Sequence, residues 1–286
     1  MMMQMLPSSS RRSLYRLLLA GSVVVSLVAG ALEAREPGSP KAPPSGASGP
    51  AATVGAHPAV LDGTLQDEDP VPEISTAELQ RVLNDRSAVI LDARPFAEYA
   101  VSHIPGALSV PGKPGLPPAQ YTADAGELAR QYPDRSQRFV LYCNGMYCGR
   151  SKRFGAELQK AGYLNLRRYQ LGIPAWRALG GVTQVEKDAL VSLVKADHTA
   201  VLVDGRGTQD QEPRLRGSHW IPLREASKAK DDGRLPMTDH NTRIFVVGDS
   251  GASARALAEA IVRDAFHNVA FFDGNAAQLR ELAEGN

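Results

Sequence analysis

Cysteine is nearly absent from this chain. Its 286 residues hold two, Cys143 and Cys148, both in one short stretch. Two thiols cannot build a zinc site without help from histidine or carboxylate, and no histidine lies in that stretch, so no metal is expected there. An excess of one charge is lacking too. The 32 Lys and Arg against 31 Asp and Glu leave +1, which argues against nucleic acid as the main partner. A long apolar run is also missing. The stretch Leu17–Leu32 is about 16 residues, short of the roughly 20 that a membrane span needs.

What stands around that stretch gives it a meaning. Arg11, Arg12 and Arg16 precede it, and the small residues Ala29, Ala31 and Ala34 close it. Basic, then apolar, then small is the layout of an export signal over residues 1–34. Ser10-Arg11-Arg12-Ser13-Leu14 has the form of a twin-arginine signal, and a chance arginine pair fits it as well. Its shortness favours cleavage over anchoring, so membrane attachment is expected only if the signal stays uncleaved. With no cysteine nearby, lipid attachment is not expected. Residues 35–70, rich in Pro, Gly, Ala and Ser without periodicity, read as a flexible linker. The expected compartment is the periplasm or the exterior. Folded structure is expected from residue 71, with room for two domains.

The densest information lies in Phe139-Val140-Leu141-Tyr142-Cys143-Asn144-Gly145-Met146-Tyr147-Cys148-Gly149-Arg150-Ser151. An apolar run of strand length ends in a cysteine, a glycine-bearing loop follows, and a helical pattern begins near Ser151. This places a sulfur at the carboxyl end of a buried strand, where loop N–H groups and a helix N-terminus surround it. Such surroundings lower a thiol pKa from about 8.5 toward neutrality. A buried structural cysteine is the alternative reading.

Upstream stand Asp92-Ala93-Arg94, Glu98-Tyr99 and His103-Ile104-Pro105-Gly106-Ala107. Downstream stand Gly172-Ile173-Pro174-Ala175-Trp176 and Gly180-Gly181. In this order the three segments resemble the rhodanese family of sulfurtransferases over about residues 72–185. The resemblance implies an α/β fold, a nucleophile at Cys143, a persulfide intermediate, and no metal or organic cofactor. It implies a small anionic sulfur donor such as thiosulfate and a thiol or cyanide acceptor. Asn144, Gly145, Met146, Tyr147, Gly149, Arg150 and Ser151 are then expected to bind substrate, with Ser151 capping the helix or, as the second reading, donating to the sulfur. Asp92 and Arg94 are expected to pair beneath the loop as structural support. Glu98, His103 and Trp176 are expected to be structural rather than chemical. Cys148 stays open between a free thiol, a disulfide partner and a resolving thiol. Arg150 lies seven residues after Cys143, two more than is common in the family, so the loop is enlarged.

The second half echoes the first. Ala200-Val201-Leu202-Val203-Asp204-Gly205-Arg206 answers Ala88-Val89-Ile90-Leu91-Asp92-Ala93-Arg94, and Arg243–Asp249 answers the strand leading to Cys143. Asp249 is expected at the cysteine's position, which would leave the second half silent, because a carboxylate cannot carry a persulfide. Two tandem rhodanese-like domains are therefore expected, 71–185 active and 186–286 inactive, each a largely parallel sheet flanked by helices.

Overall fold

The structure is a computed structural model that describes residues 71–209, 211–212 and 215–283. The expected signal and linker, residues 1–34 and 35–70, lie outside the described residues, as does Asp210.

Helix α1 (Thr76–Asp85) starts at Ser75. Its hydroxyl accepts the Glu78 N–H, and the Glu78 carboxylate accepts the Ser75 N–H at 2.8 Å. This is the reciprocal cap that the Ser-x-x-Glu spacing predicts. Strands β1 (Val89–Asp92), β2 (Leu108–Ser109), β3 (Phe139–Tyr142) and β4 (Leu166–Tyr169) form a parallel sheet in the order β2-β1-β3-β4. Helices α2 (Phe96–Val101), α3 (Ala125–Gln131) and α4 (Gly149–Lys160) lie in the crossovers, and α5 (Gly172–Ala178) follows β4. Alternate residues enter opposite faces. Leu91, Phe139 and Leu141 pack with Phe154 and Leu158, while Ile90, Val140 and Tyr142 pack with Leu79, Ile104 and Trp176. Cover on both faces is why these strands read as unbroken apolar runs rather than alternating ones.

The second half builds β5 (Thr183–Val185), α6 (Lys187–Ala196), β6 (Val201–Asp204), β7 (His219–Trp220), α7 (Ala226–Ala229), β8 (Ile244–Val247), α8 (Gly251–Val262) and β9 (Val269–Phe272). Its parallel sheet runs β5-β9-β8-β6-β7. The stretch β7-β6-β8-β9 repeats the order β2-β1-β3-β4. Glu73 forms a parallel bridge to Arg168 on β4, and β5 likewise pairs in parallel with β9. Each half thus places its entering segment beside its last strand. One consequence shifts the expected boundary after 185: residues 183–185 hydrogen-bond into the second sheet.

Register corrects one reading. Asp92 pairs with Tyr142 across β1 and β3, and Asp204 pairs with Val247 across β6 and β8. Val247 therefore answers Tyr142, so Gly248 answers Cys143 and Asp249 answers Asn144. The one-residue offset arose from aligning the acidic end of the strand rather than its hydrogen-bonded rungs. The second half holds no cysteine at any position.

The halves meet along α2. His103 donates its N–H to the Gln184 carbonyl at 3.0 Å and accepts from Gln184 N–H at 2.8 Å; Glu186 N–H donates to the Ala100 carbonyl at 2.9 Å. The fully buried His103 ring stacks on Tyr99, centroids 3.8 Å apart.

Candidate functional site

Strand β3 stops at Tyr142, so Cys143 is the first residue beyond its carboxyl end, where parallel sheets place their sites. The chain turns with Cys148 N–H donating to the Gly145 carbonyl at 2.9 Å, and α4 begins at Gly149. Cys148 is the residue that precedes the helix. The expected cap, Ser151, lies one turn inside and is 1% exposed, its hydroxyl 3.3 Å from the Cys143 sulfur. It serves the thiol and not the helix terminus.

Two features hold the loop from below. Gly172, at φ +63°, lies so close that a Cβ there would come within 2.2 Å of the Cys143 carbonyl oxygen and 2.4 Å of the Gly145 nitrogen. Ile173 N–H then donates to that Cys143 oxygen at 3.2 Å. Deeper, Arg94 Nε donates to both Asp92 oxygens at 2.9 and 3.0 Å, and its terminal nitrogen to the Ser102 carbonyl at 2.6 Å. Tyr142 hydroxyl donates to Asp92 Oδ2 at 2.6 Å, linking this buried pair to the strand that carries the cysteine. The expected supporting role of Asp92 and Arg94 matches this geometry. Asp204 and Arg206 repeat the pairing in the second half, with Nε–oxygen distances of 2.8 and 3.1 Å.

Glu98 has a role that the sequence reading missed. From α2 its carboxylate accepts from the Asn144 side-chain amide and from Arg150 at 3.3 Å, clamping both ends of the loop. Arg150 therefore turns its guanidinium toward Glu98 rather than presenting it unpaired to a donor. Nothing in the local pattern marks this, because the partners are 46 and 52 residues apart. Met146 and Tyr147 point outward, 36% and 80% exposed, as the outer lip. Gly149 has open space beside its Cα.

The two sulfurs divide the expected properties between them. Cys143 is only 2% exposed, and its thiol donates to the Cys148 carbonyl at 3.0 Å. The neighbouring Cys148 side chain, then burial, push its pKa well above the ordinary thiol range, against the pull of Ser151. Cys148, half-buried, moves the other way, to about 5. The neighbouring Cys143 side chain is the largest cause, with the backbone N–H groups of Arg150 and Asn144 adding to it and burial opposing. The surroundings thus push the Cys143 thiol up and the Cys148 thiol down, where a lowered Cys143 was expected. The loop does converge N–H groups on a thiol, but on Cys148. Both cysteines are free rather than disulfide-bonded.

Comparison with known proteins fits this picture. Residues 75–179 match the rhodanese-like domain family. The chain carries a rhodanese-like domain. A thiosulfate:glutathione sulfurtransferase of Saccharomyces cerevisiae is 27% identical over 121 residues, covering 39% of this chain and 81% of that protein. An HTH-type transcriptional regulator of Mycobacterium tuberculosis is 32% identical over 111 residues, covering 39% of this chain and 44% of its own length. The chain thus spans less than half of that regulator. A crystal structure of thiosulfate sulfurtransferase from Pseudomonas aeruginosa aligns with a TM-score of 0.36 at 24% identity, over 79% of this chain and 47% of that one. The rhodanese-like segment contains the whole site, from Asp92 to Gly172.

Proposed function

We propose that this rhodanese-like domain moves sulfane sulfur from thiosulfate or a persulfide donor to a thiol or cyanide acceptor, with the persulfide carried on Cys143. The observation that supports it is the Cys143 thiol at the carboxyl end of β3, held between the Cys148 carbonyl and the Ser151 hydroxyl at the base of the loop. The two neighbouring thiols shift each other's titration, and the nucleophile is the Cys143 sulfur once it has lost its proton. The Cys143 thiolate attacks the outer sulfur of thiosulfate, an S–S bond forms, and sulfite leaves with the electron pair of the broken bond. The terminal persulfide sulfur then passes to cyanide as thiocyanate, returning the thiolate. Loop N–H groups stabilise the anionic sulfur throughout.

A second reading rests on the exposure of Cys148. The same pair can act as a dithiol that closes to a disulfide when a small disulfide oxidises it, without sulfur-transfer turnover. The second half, lacking a thiol, is assigned a non-catalytic role as a tandem rhodanese-like domain. Export is assigned on the basic–apolar–small order of residues 1–34.

Reduced protein, Cys143→Ser and Cys148→Ser assayed for thiosulfate:cyanide transfer separate the readings. Sulfur transfer through Cys143 predicts loss of more than about a hundredfold for Cys143→Ser and a smaller loss, about tenfold, for Cys148→Ser. Equal abolition by both, together with a mass of the intact pair two hydrogens lighter and no added sulfur after thiosulfate, would favour the dithiol switch.

A further inference from the structure

Between the two halves, away from the sulfurs, lies a cavity of about 370 Å³. Arg94, Glu98, Ser102 and Arg177 line it from the first half, and Arg243 and Asn268 from the second. Three of these carry guanidinium groups, and their compensation is unequal. Arg94 is paired with Asp92, and Arg243 with Asp197 at 3.0 Å. Glu98, the carboxylate in the wall, is taken by Asn144 and Arg150. Arg177 has no carboxylate partner among the described residues. It donates one terminal nitrogen to the Ser102 hydroxyl at 2.6 Å, and its Nε is buried with no hydrogen-bond partner.

Arg177 is half-buried, and a partly desolvated cation without a counter-charge is costly; its buried N–H donor without an acceptor adds to that cost. Burial first, then the nearby Arg94 and Arg243, pull the Arg177 pKa down to about 10. Both deficits are met by the same thing: an anion offering several acceptor oxygens. The cavity's donors are planar forks suited to oxyanions.

We propose that this cavity is a binding site for a small tetrahedral oxyanion of the sulfate–thiosulfate class, held by Arg177 with Arg243 and Arg94 around it. The site is separate from the thiol pair and does not depend on sulfur transfer. Glu98 connects the two, because the carboxylate that lines the cavity also clamps Asn144 and Arg150 of the loop. Occupancy by the donor's own anion class, or by the sulfite it releases, would therefore act on the loop through one side chain.

Calorimetric titration of the full chain with sodium sulfate, and separately with sodium thiosulfate, tests this against sodium chloride at matched ionic strength. The expected result is saturable binding of both oxyanions beyond the chloride control. Arg177→Met, which keeps the aliphatic stem, should weaken binding at least tenfold, and Cys143→Ser should bind as the parent does. If Arg177→Met does not fold, Arg243→Gln, at a position one-third exposed, carries the same expectation. No binding beyond chloride, unchanged binding in the arginine variants, or loss of binding in Cys143→Ser would each overturn the site. Binding that persists in a protein without transferase activity would instead leave this site standing while the proposed function fails.

Discussion

The Cys143 thiol donates to the carbonyl of Cys148, 3.0 Å away across the base of the loop. Each cysteine shifts the other: Cys148 and burial push the Cys143 thiol up, and Cys143 with the loop N–H groups pull Cys148 down. Thiol chemistry in this loop is a property of the pair, which makes single substitutions informative about both positions.

Alkylation against pH reads this directly. In reduced protein one thiol should react with iodoacetamide with a midpoint near 5, and peptide mapping should place the label on Cys148. In Cys148→Ser the remaining thiol loses its charge partner but stays buried, so its midpoint should rise by more than about two pH units above the parent's. An unchanged midpoint would assign the early titration to Cys143 and overturn the placement on Cys148.

Gly172 should tolerate no side chain. A Cβ would meet the Cys143 carbonyl oxygen and the Gly145 backbone, and the φ of +63° disfavours any other residue. Gly172→Ala is expected to lower the melting temperature by several degrees and to reduce sulfur transfer more than tenfold, measured on the fraction that remains folded. Gly106→Ala also has a positive φ but open space, and is expected to leave transfer within about twofold of the parent.

Arg94→Met should be among the most destabilising changes in the first half. It leaves the Asp92 carboxylate buried at 0% exposure, with the Tyr142 hydroxyl as its remaining side-chain partner. Breaking one side of a buried pair costs about 3–5 kcal/mol, readable as a shift in urea midpoint at constant slope. Asp92→Asn with Arg94→Met together should cost less than the sum of the two single changes.

Acid stability should carry a histidine signature. His103, buried against Tyr99 with Nδ1 2.9 Å from the Tyr99 carbonyl, has its pKa pulled down to about 4, mainly by desolvation. The unfolded chain binds this proton at about 6.5, so between the two values the unfolded state holds more protons and stability rises with pH. The contribution is fully present above about 6.5 and is lost as pH falls through 4, amounting to roughly 3 kcal/mol. His103→Gln should flatten the fall in melting temperature between pH 6.5 and 4. A parallel acid limb in that variant would assign the loss to other groups.

Much of the first half was legible because its signals are local. Unbroken apolar runs gave β1 and β3, and the Ser75–Glu78 spacing marks the start of α1. The Asp92–Arg94 pairing was readable two residues apart. The edge strand β5 was missed because Thr183-Gln184-Val185 is short and has meaning only beside β9, which closes far later in the chain. Glu98 read as an ordinary helix residue for the same reason. Its partners enter from a loop more than forty residues away.

By itself the sequence determined that a thiol would stand at the end of a buried parallel strand, over an Asp–Arg pair, in one of two like halves. Apolar periodicity and short-range hydrogen bonding are written residue by residue, so they survive without coordinates. Tertiary structure alone decided how each sulfur shifts the other's pKa and which guanidinium is left without a carboxylate. Both depend on desolvation and on partners brought together across the fold, and neither quantity has a signature in linear order.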